Sequence, residues 1–338
     1  MKIAVLGCGA IGGIFLGYLL DKGYDVTGIV KDYQLEPIDL KGLSIEGARG
    51  SLSLKAKVGT ELREKVDLAI VCTKIDSVEA VVKKNIEYLK DAVALTTQNG
   101  IRAEYILNKF FPKERIITGI VMFGATFCPP RKVVHNFEGD LLLGNVFGSQ
   151  VEGIGQVHNI LAAVANTIII DSIKGAKYLK LFINLNNCIP AVLGIPMQEA
   201  FSDLEAAKIA IELNKEAMHV INHSNIKLES LPSYPKERLE GLISRNTPEA
   251  AALFSNIMKS LSKAPLYGSI LQSIKRGKKS EIDYINGEIV SLAKNNNLEA
   301  PLNERIVDFV HQVEDKGEFF SKDELISGFK EILANANG

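Results

Sequence analysis

Along the first 150 residues, short apolar runs alternate with amphipathic stretches. The runs are KIAVLG from residue 2, DVTGIV from 25, VDLAIVCT from 66, AVALTTQNG from 92, RIITGIVM from 115 and DLLLGN from 140. Several are separated by stretches with apolar residues at helical spacing, such as 77–90 and 102–110. Strands that are apolar on both faces and alternate with helices predict a doubly wound, mostly parallel sheet. After a last strand-like run, TIIID at 167–171, the pattern changes. From about residue 175 the apolar positions recur at helical period over ten to twenty residues, as in DLEAAKIAIELNKEAMHVINHSN (203–225) and EIDYINGEIVSLAKNNN (281–297), with Asn, Gly and Pro at the ends. The pattern predicts an α/β domain over residues 1–171 and an all-helical domain over 172–338.

One helical stretch breaks the rule for a buried element. KYLKLFINLNNCIP (177–190) carries Lys180, Asn184, Asn186 and Asn187 inside an apolar run. At 3.6 residues per turn, positions 180, 184 and 187 fall in a narrow arc, so an ammonium and two amides form one polar stripe. An ammonium in such a place needs a partner or a ligand that uses its proton. Opening the second domain, this helix is expected to face the cleft. Alone, a single lysine of this kind reads as a stem packed against the core with its head in water; the matched asparagines argue for a polar ligand.

The first strand runs into a loop of defined chemistry. Gly7, Gly9 and Gly12 stand as G-x-G-x-x-G between KIAVL and an apolar-faced helix that stops at Gly23. The first glycine would make the tight turn, the second would admit a pyrophosphate and the third would let helix pack on strand. The loop Gly7, Cys8, Gly9, Ala10, Ile11 and Gly12 is therefore the candidate dinucleotide site, with the phosphates on the helix N-terminus. At the end of the second strand stands Lys31, and after the third Lys74. A cation in these places suits a 2′-phosphate and hence NADP(H), while Asp32 beside Lys31 works against it.

Composition narrows the alternatives. The 338 residues, 46% hydrophobic, suffice for two packed domains. Thirty-nine basic side chains against 40 acidic ones give a net charge of −1, which offers no global field for nucleic acid or an anionic membrane. Ile11–Leu20, the longest near-apolar run, is shorter than the roughly 20 residues that span a bilayer, and the N-terminal segment lacks the cleavage site of a signal peptide. The four cysteines are scattered without a CxxC, which points to reduced thiols in a cytoplasmic protein. Glu216, His219 and His223 share a helical face as a zinc helix might, but no third ligand is evident and the HExxH pattern is absent, so no metal is expected.

KIAVLGCGAIG, TTQNGI (96–101), the helix with Lys180 and Asn184, and SILQSIKRGKKSEIDYINGEIV (269–290) together resemble the ketopantoate reductases (2-dehydropantoate 2-reductases), over essentially the whole chain. The resemblance implies a Rossmann-type NADP-binding domain followed by a helical catalytic domain. It implies NADPH-dependent reduction of 2-dehydropantoate to pantoate on the route to pantothenate and coenzyme A. Lys180 would be the proton donor, with Asn184 and Ser269 holding the substrate. Asn99, Ala125 and Glu281 would touch the cofactor or close the site, Asn99 also reaching the substrate, and Lys31 and Lys74 would take the 2′-phosphate. Lys31 stands where the family often has arginine.

The chemistry agrees: a 2-oxo acid needs a hydride at C2 and a proton at the developing alkoxide, and a buried lysine lowered towards neutrality can give that proton. Glu281, if near, would oppose the lowering. The sequence departs from the family pattern at Cys188, eight residues after Lys180, where the family has a second substrate-facing asparagine. Asn187 is expected to take over that contact, with Cys188 in the core. Two rivals stay open, a related NAD(P)-dependent reductase of another 2-oxo acid and a non-catalytic NADP-binding redox sensor. The expected partner is a small 2-oxo acid, and a homodimer is left open.

Overall fold

The computed structural model of the chain describes residues 1–262 and 264–336. It divides into two compact units, residues 1–174 and 175–338. The first is built on twelve strands: β1 (Ile3–Leu6), β2 (Val26–Ile29), β3 (Leu43–Gly47), β4 (Leu52–Leu54), β5 (Lys57–Gly59), β6 (Leu68–Val71), β7 (Val93–Thr96), β8 (Ile116–Val121), β9 (Gly124–Cys128), β10 (Lys132–Phe137), β11 (Leu141–Gly144) and β12 (Thr167–Ile169). Eight form one sheet in the order β12-β11-β8-β7-β6-β1-β2-β5. Its strands run parallel from β5 to β8, and only the β8–β11 step is antiparallel.

The alternation of side chains along β1 explains why its sequence is apolar throughout. Ile3 and Val5 enter a core with Ile14, Phe15 and Leu19 of the helix Ala10–Asp21, while Ala4 and Leu6 enter another with Val78, Val82 and Leu107. Both faces of the strand are covered, as parallel sheets require. From β1 the chain winds outward to β2 and β5, then returns to β6 and winds the other way. This reversal between β1 and β6 is the topological switch point, where open α/β sheets leave a crevice at the carboxyl ends of the strands.

Four strands that the apolar pattern did not predict form a second sheet in the order β4-β3-β10-β9. It lies over the helix Ala10–Asp21, where Gly13 faces Val133 and Gly17 faces Ile45.

The second unit is helical, its longest helix being Leu204–His223, capped by Asp203 accepting from the Glu205 and Ala206 amides. Glu216 of this helix is committed to structure. Its carboxylate accepts from the Leu302 and Asn303 amides at 2.9 and 2.8 Å, at the start of the helix Pro301–Lys316. His219 and His223 lie ring against ring, and His223 meets the His219 carbonyl at 2.8 Å. Among the described residues no cluster of His, Cys, Asp and Glu could hold a metal ion, and no helix is long and apolar enough to cross a membrane.

Candidate active site

The glycine loop fits a dinucleotide. Gly7 has φ +97°, a conformation that side chains rarely adopt, and a Cβ there would lie 2.6 Å from the Thr73 methyl. At Gly12 a Cβ would strike the Gly7 carbonyl, so only glycine lets the helix start this close to β1. At Gly9, by contrast, an added Cβ meets nothing within 4 Å: the backbone at the helix N-terminus faces open space, the room a pyrophosphate would need. The Cys8 thiol points the other way, towards the Val5 carbonyl at 3.7 Å, and burial pushes its pKa up.

Lys31 follows β2 and Lys74 follows β6, the two neighbours of β1, so the cations flank the glycine loop from either side. Both are exposed, and Lys31 is the N-cap of the helix Asp32–Lys41. Asp32 occupies the first turn of that helix, where a carboxylate is favoured by the helix dipole. A residue passed over in the sequence ties this corner together. Gln34, buried, donates Nε2 to the Cys8 carbonyl at 2.9 Å and accepts the Lys31 amide on Oε1 at 3.2 Å. Its signal was its place three residues into a helix that opens beside the glycine loop.

Asn99 follows β7, the next strand outward, before Gly100 with φ +69°. Its loop is anchored by Thr97 Oγ1 and Gln98 Nε2, both donating to the Val71 carbonyl at 2.9 Å. Ala125 lies in the other sheet, on β9 opposite His135.

In the second unit, the polar stripe sits on the helix Ile173–Leu185 and the turn after it. Lys180 and Asn184 are partly buried and Asn187 is 6% exposed. Asn187 Nδ2 reaches Asn184 Oδ1 at a long 3.4 Å, and its side chain lies against Gly268, the residue before Ser269, where a Cβ would come within 2.9 Å of the amide carbon. Ser269, exposed, opens the helix Ser269–Ile274. Glu281 precedes a short turn of 3₁₀ helix, Ile282–Tyr284, rather than lying inside a helix.

The ammonium of Lys180 is disfavoured. Its pKa falls from 10.5 to about 8, chiefly through burial and in the same direction through the charge of Lys177, with Glu281 opposing. The structure therefore brings Lys180, Asn184 and Glu281 into one neighbourhood and joins Asn187 to the Ser269 segment. It also adds Lys177, 4% exposed and one turn before Lys180, a residue that the sequence pattern does not single out. Its spacing from Lys180, three residues, was the signal available.

Two family profiles cover most of the chain. Residues 3–148 match the one described as ketopantoate reductase PanE/ApbA, and residues 172–314 match its C-terminal domain. The chain belongs to the ketopantoate reductase family. The 2-dehydropantoate 2-reductase of Pyrococcus horikoshii is 33% identical over 308 residues, 90% of this chain and 94% of that protein, and the Pyrococcus abyssi enzyme is 31% identical over 306 residues with the same coverage.

Among solved structures, a D-mandelate dehydrogenase with NADH and anilino(oxo)acetate aligns with a TM-score of 0.80 at 26% identity, over 94% of this chain and 99% of that one. A PanE/ApbA family ketopantoate reductase from Ralstonia eutropha shares the fold at a TM-score of 0.80 and 22% identity, over the same shares of each chain. As a ketopantoate reductase family member, the chain is an oxidoreductase that works with a nicotinamide cofactor on a small molecule.

Proposed function

We propose that this chain reduces 2-dehydropantoate to pantoate with NADPH, the step that supplies pantoate to pantothenate and coenzyme A synthesis. The observation that carries this reading is Lys180, an ammonium brought to about 8 at the head of an amide stripe, in a chain whose relatives from two Pyrococcus species bear that activity in their names.

When bound, the reduced nicotinamide supplies a hydride to C2 of the substrate. The residues of the chain do the rest. The Lys180 ammonium lies towards the substrate oxygen, stabilises the alkoxide more than the carbonyl it grows from, and delivers a proton from Nζ. Asn184, Asn187 and Ser269 hold the polar groups of the substrate, and Asn99 orients it. Glu281 closes the site and keeps enough negative charge near Lys180 to hold it protonated at neutral pH. The loop from Gly7 to Gly12, with Cys8, Ala10 and Ile11 contributing backbone, carries the pyrophosphate, and Ala125 borders the cofactor. Lys31 and Lys74 take the 2′-phosphate.

A second reading is favoured by Cys188, which replaces an amide expected to face substrate, and by the likeness to a dehydrogenase solved with NADH. On this reading the substrate is another 2-oxo acid and the cofactor NADH. Steady-state oxidation of NADPH and NADH over a panel of 2-oxo acids separates the two. The expected outcome is a kcat/KM highest for 2-dehydropantoate with NADPH, and a preference for NADPH that Lys31→Ala erodes by about 1–3 kcal/mol, the worth of a charge-assisted contact. Equal binding of the two cofactors by the wild type would give the loop to Asp32, and absence of turnover with every acid would leave the sensor reading.

A further inference from the structure

Glu281 stands between two anchors. The Ser280 amide before it donates to Glu314 Oε1 at 2.7 Å, and Asp283 after it meets His311 Nε2 with its Oδ1 at 3.0 Å. His311 and Glu314 both lie in the C-terminal half of the helix Pro301–Lys316, and His311 Nδ1 is 3.2 Å from Glu314 Oε2. The imidazole therefore has a carboxylate at each ring nitrogen, an arrangement that no other described histidine shares. A neutral imidazole carries one N–H and one bare lone pair, so it can donate to one of these carboxylates only while setting its lone pair against the other. The imidazolium donates to both.

The two carboxylates differ in what they do when the ring loses its proton. The Glu314 side chain is 4% exposed and has little water to turn to, so the remaining N–H stays with it. Asp283 is open to solvent and is the one released. Burial lowers the pKa of His311, but the hydrogen bonds and charges of Asp283 and Glu314 outweigh it and raise it above the usual 6.5. Among the described residues these carboxylates, one from the 3₁₀ turn Ile282–Tyr284 and one from the histidine's own helix, are the charged groups that bear on the ring. The helices Cys188–Leu193, Leu204–His223, Asn286–Asn295 and Lys322–Ala336, which also pack on Pro301–Lys316, bring none to it.

We propose that His311 is a positioning residue: as an imidazolium it clasps the segment that carries Glu281 to the helix Pro301–Lys316, and as the neutral ring it releases Asp283, so that its protonation sets how readily the site closes on substrate. This rests on the reading of Glu281 as the residue that closes the site. With Ser280 and Asp283 both tied, the backbone of Glu281 is fixed from either side; with Asp283 released, it is held from one side alone. The second tie is complete below about pH 6.5 and is lost as the pH rises through the raised pKa of His311. Saturating substrate draws the chain back into the closed form, so the loss falls on KM, which grows as the closed fraction shrinks, and not on kcat.

The test joins the ring, the segment and the kinetics. Ring NMR of the full chain, assigned with His311→Gln, should give a midpoint above 6.5 in the wild type and one lower by about one pH unit in Asp283→Asn. The Tyr284 and Ile285 amides, which donate to the Glu281 and Ile282 carbonyls, report the segment by hydrogen exchange corrected for its intrinsic pH dependence. Their protection should fall through the midpoint in the wild type, be low at every pH in His311→Gln, and persist through the midpoint in His311→Lys, whose charge stays on. The KM for 2-dehydropantoate should follow, rising roughly tenfold through the midpoint in the wild type, high throughout in the Gln variant and low in the Lys variant, with kcat unmoved by this ionisation.

A histidine that serves packing alone would affect both variants alike and give KM no ionisation matching the ring's. A ring that titrates at or below 6.5, amides equally protected on both sides of the midpoint, or a KM level through it in an active enzyme overturns the proposal. A segment that loosens with the ring in a wild type that reduces no 2-oxo acid supports the clasp and removes the reductase reading, so the two failures are distinguishable.

Discussion

Lys180 sets function against stability within one residue. Its pKa is lowered from 10.5 to about 8 by burial and by Lys177, despite Glu281, so the folded state disfavours the ammonium that the unfolded chain carries freely. The penalty is complete below about pH 8, shrinks as the pH rises towards 10.5, and is gone above that value. Lys180→Met should therefore be more stable than the wild type at pH 7 by about 1–3 kcal/mol, and the gain should vanish above about pH 10. Urea midpoints at the two pH values check it. A variant less stable than wild type at pH 7 would mean that Lys180 is held by contacts worth more than its burial costs.

The sequence made Lys180 and Asn184 legible because amides at helical spacing are conspicuous in an apolar run. It hid Lys177, which stands at the amphipathic edge of the same run and reads there as an ordinary solvated lysine. Only its burial in the folded chain, at 4% exposure, reveals that this edge turns inward.

The stripe depends on an element that is broken rather than continuous. The projection that put Asn187 in line with Lys180 assumed one helix, but the helix stops at Leu185 and another begins at Cys188. Pro190 gives the reason, because it has no N–H for the Asn186 carbonyl and its ring would crowd that carbonyl in an unbroken helix. The chain tightens instead, with the Asn187 amide donating to the Asn184 carbonyl at 3.0 Å. The break keeps Asn187 beside Asn184 and turns Cys188 into the core, where it is fully buried and its thiol donates to the Leu185 carbonyl at 2.8 Å. Burial pushes that thiol up to about 12, so it is neutral at any working pH.

Asn187→Ala should lower kcat/KM by roughly ten- to a hundredfold, the loss of an amide contact to a polar substrate group, while Cys188→Ala should change kinetics little. Steady-state kinetics on both decide it. A silent Asn187→Ala beside a damaging Cys188→Ala would favour a substrate other than 2-dehydropantoate. The second sheet was illegible for a related reason. Its strand β4 is three residues long and β9 has no fully buried residue, so neither an unbroken apolar run nor a clear alternation marks them. The core strands were plain because both their faces are covered.

At the scale of the molecule, the two kinds of sequence pattern correspond to two kinds of unit, a sheet with cores on both faces and a helical body. A net charge of −1 leaves anion binding to local devices, and the fold supplies them at the switch point: a glycine loop at a helix N-terminus with a lysine on each side. The loop was legible because its glycines answer to geometry, at Gly7 a positive φ and at Gly12 a backbone contact. Gln34 was not, because its work is to join two backbone segments that only the fold brings together.

The central claim is that one lysine supplies the proton to the reduced carbonyl. Single-turnover oxidation of NADPH by 2-dehydropantoate, followed from about pH 6 to about pH 10 in wild type and Lys180→Met, tests it most directly. The account predicts a wild-type rate that is level at low pH and falls through one ionisation near 8, and a variant slower by at least about a hundredfold with that ionisation absent. A variant within tenfold of the wild type that keeps the same pH dependence would contradict it.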